Sequence, residues 1–274
     1  MTYKTILVHC DEHPRAAARV KLAIDLARRH GAHLIGMAVV APPYLPVDMM
    51  GGAASADVYA LLEEGNRARL AGAKAAFKRE TEAAGLSAEF LERVDQPVEA
   101  FDTALRYADL AIVGQRTEDS SDSDLPESVA IDTGRPVIVV PHIGYTRPIG
   151  GNVLLAWNAS PQAAHAATAA LPLLATAKQV TLLVVNGSGD DAHGQEPGAD
   201  AARWLARHGV KVTVQRESSA GSDVGSIILS RVLDFDIDLV VMGVYGHSRF
   251  REFVLGGASA TILSSMTVPV LMAH

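Results

Sequence analysis

Short, nearly continuous apolar runs alternate along this chain with longer stretches of helical periodicity. Thr5-Ile6-Leu7-Val8-His9 and the run at 33–40 read as strands buried on both faces, because neither alternates with polar residues. Between them an amphipathic helix over 15–30 opens at Pro14 and closes at Gly31, the residues favoured just inside the start and just past the end of a helix. A Pro-, Met- and Gly-rich loop at 41–55 follows, long enough for a lid or a connection. The Ala-rich, charge-alternating stretch 57–84 predicts one long helix, either continuous or broken near Gly65 or Gly72. Strands at 88–94, 109–114 and 137–141 and helices at 98–107 and 126–133 complete this first series.

The same series then begins again. A strand at 152–157 and a helix opened by Pro161 match 5–10 and Pro14; further strands are expected at 180–185, 210–216 and 238–242, with helices at 199–208 and 224–233. Asp109-Leu110-Ala111-Ile112-Val113-Gly114 corresponds to Asp238-Leu239-Val240-Val241-Met242-Gly243, and Arg135-Pro136-Val137 to Val268-Pro269-Val270. Correspondence at five points in one order implies an internal duplication. The stretch 142–151, with Pro148 and Gly150-Gly151, reads as the linker. Strands alternating with helices imply an α/β protein in two units, each a mainly five-stranded parallel sheet flanked by helices.

Candidate chemistry concentrates after the strand at 238–242. Gly243 and Gly246 begin a loop, Gly256-Gly257 end it, and a helix follows over Ala260-Thr261-Ile262-Leu263. Glycine lets backbone N–H groups approach a ligand closely, and the first turn of a helix carries N–H donors without intrahelical partners. The arrangement suits phosphate. The same glycines also serve tight strand-to-helix turns, a role that needs no ligand.

Gly-x-x-Gly, nine residues, then Gly and a small residue resembles the nucleotide-binding signature of the universal stress protein family, met here by Gly243, Gly246 and Gly256. With the duplication, the resemblance is to a tandem member, and it implies two Rossmann-like (adenine nucleotide alpha hydrolase-like) units: 1–145, degenerate, and 146–274, retaining the glycine-rich phosphate loop. It further implies that the units pair through their last strands, 137–140 beside 270–273, as an intrachain pseudo-dimer, with a further homodimer as an option. The implied ligand is ATP or a related adenine nucleotide, with or without Mg. Its base and ribose would meet Ala156, Trp157, Asn158 and Val185. Its phosphates would meet Met242, Gly243, Tyr245, Gly246, Gly256, Gly257, Ala258 and Ser259. Two positions depart from the family pattern. Gly257 stands where Ser or Thr is usual, with a hydroxyl two residues on at Ser259, and Asn158 stands where Asp is frequent, whereas the first half has Asp11. An amide still accepts and donates, but it is a weaker acceptor than a carboxylate.

The first half lacks the second and third glycines of the signature. Its loop after Gly114 is shorter and carries Glu118, Asp119, Asp122 and Asp124, which would repel a polyphosphate. Nucleotide is therefore expected in the second half alone. Arg249 and Arg251 could add positive charge there or simply face water. The alternative reading is a protein-interaction module of the same fold that binds no nucleotide, and Gly257 and Asn158 speak for it.

Composition narrows the remaining choices. A net charge of −7 disfavours sequence-independent nucleic-acid binding, which needs a basic surface. No apolar run reaches the length of a membrane span, and the first residues lead straight into a strand, so a cytoplasmic protein with no membrane partner is expected. The single cysteine, Cys10, excludes an intrachain disulfide; His9 and Cys10 would point to opposite faces of their strand. His165, His193 and His208 show no ligand spacing, and Trp204 reads as a packing residue. No Ser/His/Asp set, no Lys after the glycines and no carboxylate beside the phosphate loop is evident, so the resemblance implies at most slow ATP hydrolysis, with no catalytic or metal residue assigned.

Overall fold

The computed structural model describes residues 2–13, 15–43, 56–116, 125–186, 196, 198–219, 221–244 and 257–274. The first half runs β1 (Thr5–His9), α1 (Ala16–His30), β2 (His33–Val40), α2 (Ala56–Ala83), β3 (Ala88–Val94), α3 (Pro97–Leu105), β4 (Leu110–Gly114), α4 (Leu125–Asp132) and β5 (Val137–Val140). The second runs β6 (Asn152–Ala156), α5 (Pro161–Leu174), β7 (Gln179–Asn186), α6 (Ala199–Arg207), β8 (Val212–Ser218), α7 (Val224–Asp234), β9 (Leu239–Gly243), α8 (Gly257–Ser265) and β10 (Val270–Ala273). Local chemistry fixes several boundaries. Gly31 closes α1 in the left-handed conformation at φ 60°, and Ser160 opens α5 by accepting a hydrogen bond from the Ala163 N–H with Pro161 next in line.

All ten strands form one sheet in the order β3-β2-β1-β4-β5-β10-β9-β6-β7-β8. Each half is parallel within itself, and the halves join antiparallel through β5 and β10, with Val139 opposite Val270 and Val137 opposite Met272. Both strands are fully buried, so the seam is continuous core. The pairing expected between the last strands is thus present.

Equivalent positions carry equivalent bonds. The Cys10 N–H donates to Met37 O at 2.8 Å and the Trp157 N–H to Leu183 O at 2.8 Å, each tying the end of a first strand to its neighbour. The Asp109 carboxylate accepts from the N–H groups of Lys4 (2.7 Å) and Thr5 (3.0 Å), where the chain enters β1. Asp238 does the same before β6, accepting from Gly150 (2.6 Å), Gly151 (2.9 Å) and Asn152 (2.9 Å). Gly150 needs its freedom there, at φ 84°, and a Cβ on Gly151 would stand 2.8 Å from the same carboxylate. The stretch read as a linker is therefore clamped against β9.

The long helix expected over 57–84 is present and unbroken. Helix α2 is continuous across Gly65 and Gly72, both exposed. Exposed glycine costs a helix about 1 kcal/mol, which an Ala-rich 28-residue helix absorbs. The loop expected at 41–55 and Pro14 fall largely or wholly outside the described residues.

Replacing Asp238 with Ala should lower stability by about 2 to 4 kcal/mol in urea denaturation, because three main-chain donors lose their acceptor at once. A loss under about 1 kcal/mol would show that the clamp does not hold the junction.

Candidate functional site

Within the second half the sheet order reverses direction between β6 and β9. A crevice opens there beyond the carboxyl ends of the strands, where open α/β sheets place ligands. The cleft measures about 470 Å³ and is lined by Ala156, Trp157 and Asn158 at the end of β6, Leu183 and Val185 on β7, Val224 and Ile228 on α7, Met242 and Gly243 on β9, and Gly257, Ala258 and Ser259 at the start of α8. Nine of the twelve residues expected from sequence are brought together here. The other three, Tyr245, Gly246 and Gly256, lie outside the described residues, as do Arg249 and Arg251.

Three lining residues were not anticipated: Leu183, Val224 and Ile228. Each sits in an apolar stretch, and nothing in the pattern separates a side chain facing a cleft from one facing the core. Ser259, in the first turn of α8, is buried at 3% exposure. Gly243 has a packing duty of its own, since a Cβ there would lie 2.5 Å from the main-chain nitrogen of Ala163 in α5. Gly257 has none of that kind: a Cβ would meet nothing nearer than Oδ1 of Asp223, at 3.9 Å.

Asn158 is partly committed. Its Oδ1 accepts from Ser160 Oγ at 2.7 Å and from the Ser160 N–H at 3.2 Å, which leaves the amide nitrogen as the donor at the rim. Ala159 between them adopts φ 57°, a left-handed conformation that costs a non-glycine residue of order 1 kcal/mol or more. Asp223 is the carboxylate that sequence reasoning missed. It caps α7, its Oδ2 accepting from the Ser226 N–H at 2.9 Å, and the packing of α7 on α8 brings it to the first residue of α8.

Among the described residues, side chains fill the equivalent crevice of the first half. By strand register His9 takes the position of Ala156, and counted from the helix caps Gln96 and Asp223 Phe101 takes that of Ile228. The two rings meet edge to face, 5.4 Å between centroids, with Phe101 wholly buried and His9 at 5% exposure. Arg19 adds a plug beside them. Its Nε donates to His9 O at 2.7 Å and its Nη2 to Asp11 Oδ2 at 2.8 Å, while its Nη1 fills the place a Cβ on Gly114 would need. Arg19 corresponds by the same count to Ala166, wholly buried in α5. A pocket of about 20 Å³ remains near Cys10, Asp11 and Val39, bounded by Arg69, Leu70 and Ala73 of α2. Acidic residues 118–124 lie outside the described residues, so the barrier seen here is steric.

Burial acts to raise the Asp11 carboxyl, but Arg19, His9 and the hydrogen bonds outweigh it and hold the group below its usual value. Burial, with the Arg19 cation pushing the same way and Asp11 opposing, brings the His9 imidazole down to about 4. Cys10 is buried, its thiol pushed up to about 12 chiefly by desolvation, and so is not a nucleophile. Trp204 packs against the core and edge-on against His208, 4.9 Å between ring centroids, in the packing role expected for it. His165 is half-buried and its Nδ1 bonds the main-chain oxygen of His274. His193 lies outside the described residues.

These features define a two-unit open α/β protein with a cleft at the switch point of its second unit. Residues 151–274 match the model of the Universal stress protein family. A universal stress protein of Synechocystis is 47% identical over 38 residues, which span 14% of this chain and 13% of that protein. The crystal structure of a universal stress protein from Archaeoglobus fulgidus covers 98% of this chain and 97% of its own with a TM-score of 0.71 at 20% identity. A functionally unknown protein from Pseudomonas aeruginosa covers 99% and 92% with a TM-score of 0.59 at 14% identity. At such identities the solved structures establish the fold. The likeness to that family's model thus rests on residues 151–274, just under half of the chain.

A histidine kept neutral inside the fold makes stability depend on pH. As pH falls from about 6.5 toward 4 the unfolded chain takes up a proton that folded His9 refuses, so this contribution is intact above pH 6.5 and lost progressively below it. The expected loss over that window is about 3 kcal/mol, and His9→Gln should flatten the slope whatever it costs at pH 7. An unchanged slope between pH 6.5 and 4 in urea titrations of the variant would contradict the assignment.

Proposed function

We propose that this protein is a stress-response or signalling module holding one adenine nucleotide, ATP or a related species, in the cleft of residues 146–274, while residues 1–145 form a degenerate domain that holds none. The observation that carries the reading is the contrast between an open cleft of about 470 Å³ at one switch point and the ring-filled crevice at the other. That volume lies in the range of small-molecule sites, and the lining combines apolar side chains with main-chain donors.

The division of labour follows from the chemistry of the walls. Val185, Leu183, Ile228 and Val224 offer apolar surface to a base, and Trp157 and Asn158 stand where a ribose would emerge. The first N–H groups of α8, at Gly257, Ala258 and Ser259, face the cleft with the positive end of the helix dipole, which favours a phosphate. Gly243, Tyr245, Gly246 and Gly256 would complete the phosphate wrap. Mg, a cytoplasmic setting and a further homodimer belong to the same proposal. Among the described residues no helix is long and apolar enough to cross a membrane.

Purified protein should gain thermal stability on addition of ATP and release adenine nucleotide on denaturation. Gly257→Ser adds a hydroxyl where the structure has room and should tighten ATP binding several-fold. Ile228→Phe, which copies the filled first half, should abolish the stabilisation while the chain stays folded. No ATP response in the wild-type protein would sink the reading and favour an interaction module that binds no nucleotide.

A further inference from the structure

We propose that the first turns of α2 are the contact surface between two copies of this chain, each copy's helix packing antiparallel against the other's about a two-fold axis. This rests on the further homodimer of the reading above, gives it a surface, and needs no nucleotide.

The helix outruns the sheet it covers. Asn66 Nδ2 donates to Ala41 O at 2.9 Å, one residue past the end of β2, so residues 56–65 project beyond the carboxyl edge of the strands. At 1.5 Å per residue the overhang is about 15 Å long. Within 57–65 Val58 is half-buried and every other residue is exposed. So short a length of helix is held in water chiefly by packing an apolar face. The counterpart helix, α6, has nine residues against the 28 of α2.

The overhang carries such a face. Tyr59, Leu62 and Asn66 continue, at helical spacing, the stripe of Leu70, Ala73 and Phe77 by which α2 packs on the core. Tyr59 is 41% exposed, Leu61 69% and Leu62 39%. Val94, in register with Val40 at the same edge of the sheet, is 57% exposed. Among the described residues only Tyr107, Ile143 and Leu233 are large apolar side chains similarly exposed elsewhere. Clustering at one corner, rather than single scattered residues, marks a contact surface.

The charges select the occupant. Asp57, Glu63 and Glu64 come first along the helix, and Arg67 and Arg69 follow, Arg69 also meeting Glu12 Oε2 at 3.5 Å. A second copy related by a two-fold axis runs antiparallel, so its basic residues lie beside the acidic ones of the first, and the same contacts recur across the axis. Parallel helices would set like charges together. Gly65 sits where the sign changes, and a Cβ there would meet nothing within 4 Å, which leaves room for a second backbone to come close.

The test is sedimentation equilibrium of the full chain over a range of concentrations. The wild type should pass from one to two chains per particle as concentration rises, with or without ATP. Leu61→Ser combined with Leu62→Ser should weaken association roughly tenfold or more and leave the melting temperature of the single chain nearly unchanged, because both side chains are exposed in it. Two charge variants probe the antiparallel pairing. Glu63→Lys with Glu64→Lys, and separately Arg67→Glu, should each associate poorly alone, whereas an equal mixture should associate as the wild type does, each chain offering the other its opposite charge. A dimer unaltered by the serine variant, or a mixture no tighter than its components, would overturn this surface and leave a homodimer through another face. A wild-type chain that stays single at every concentration would overturn the homodimer as well and leave the patch to a different partner.

Discussion

The edge-to-face contact of His9 with Phe101 closes in the first half the crevice that stands open in the second. Both halves build the same frame of strands, with the same main-chain ties at the ends of β1 and β6 and the same carboxylate clamps at their entries. What differs is the contents of the crevice. Two rings close it in the first half, with Arg19 and Asp11 sealing the rim as an ion pair. Ala156 and Ile228 leave it open in the second. A buried ring pair contributes packing that an open cleft forgoes, so the first half has core where the second has a cleft.

The two halves are also one mechanical object. The sheet runs unbroken through β5 and β10, and Gln115, buried just after β4, donates to Leu263 O of α8 at 2.6 Å while its own oxygen accepts from the His142 N–H at 2.8 Å. Tyr3 of the first half reaches Ala169 O of the second at 2.8 Å. The helix whose first turn faces the cleft is thus held at its other end by the filled half. In this light the first half is the support on which α8 rests, whether or not it has any ligand of its own.

Much of this was legible in the sequence because the signals were local or repeated. Apolar runs gave the strands, Gly31 and Pro161 marked helix ends, and the matched pairs Asp109 with Asp238 and Pro136 with Pro269 exposed the duplication, while the pairing of the last strands was what the family resemblance implied. The glycines of the cleft were readable because they cluster at both ends of the loop between a strand and a helix. What stayed hidden depends on contacts between distant segments. His9 and Phe101 look like ordinary strand and helix residues until the sheet brings them together, and Asp223 looks like a simple cap until α7 packs on α8. Acidic charge in the loop after Gly114 gave the expectation of an empty first half, whereas the described barrier is the volume of two rings and a guanidinium. Gly65 and Gly72 suggested a break in α2 that helix length and exposure make unnecessary.

Native mass spectrometry of the intact chain titrated with ATP puts the account to its most direct test. One nucleotide per chain, lost when Ile228 is replaced with Phe and regained nowhere else, is the predicted result. Two nucleotides per chain, or one that survives the filling of the second crevice, would contradict it.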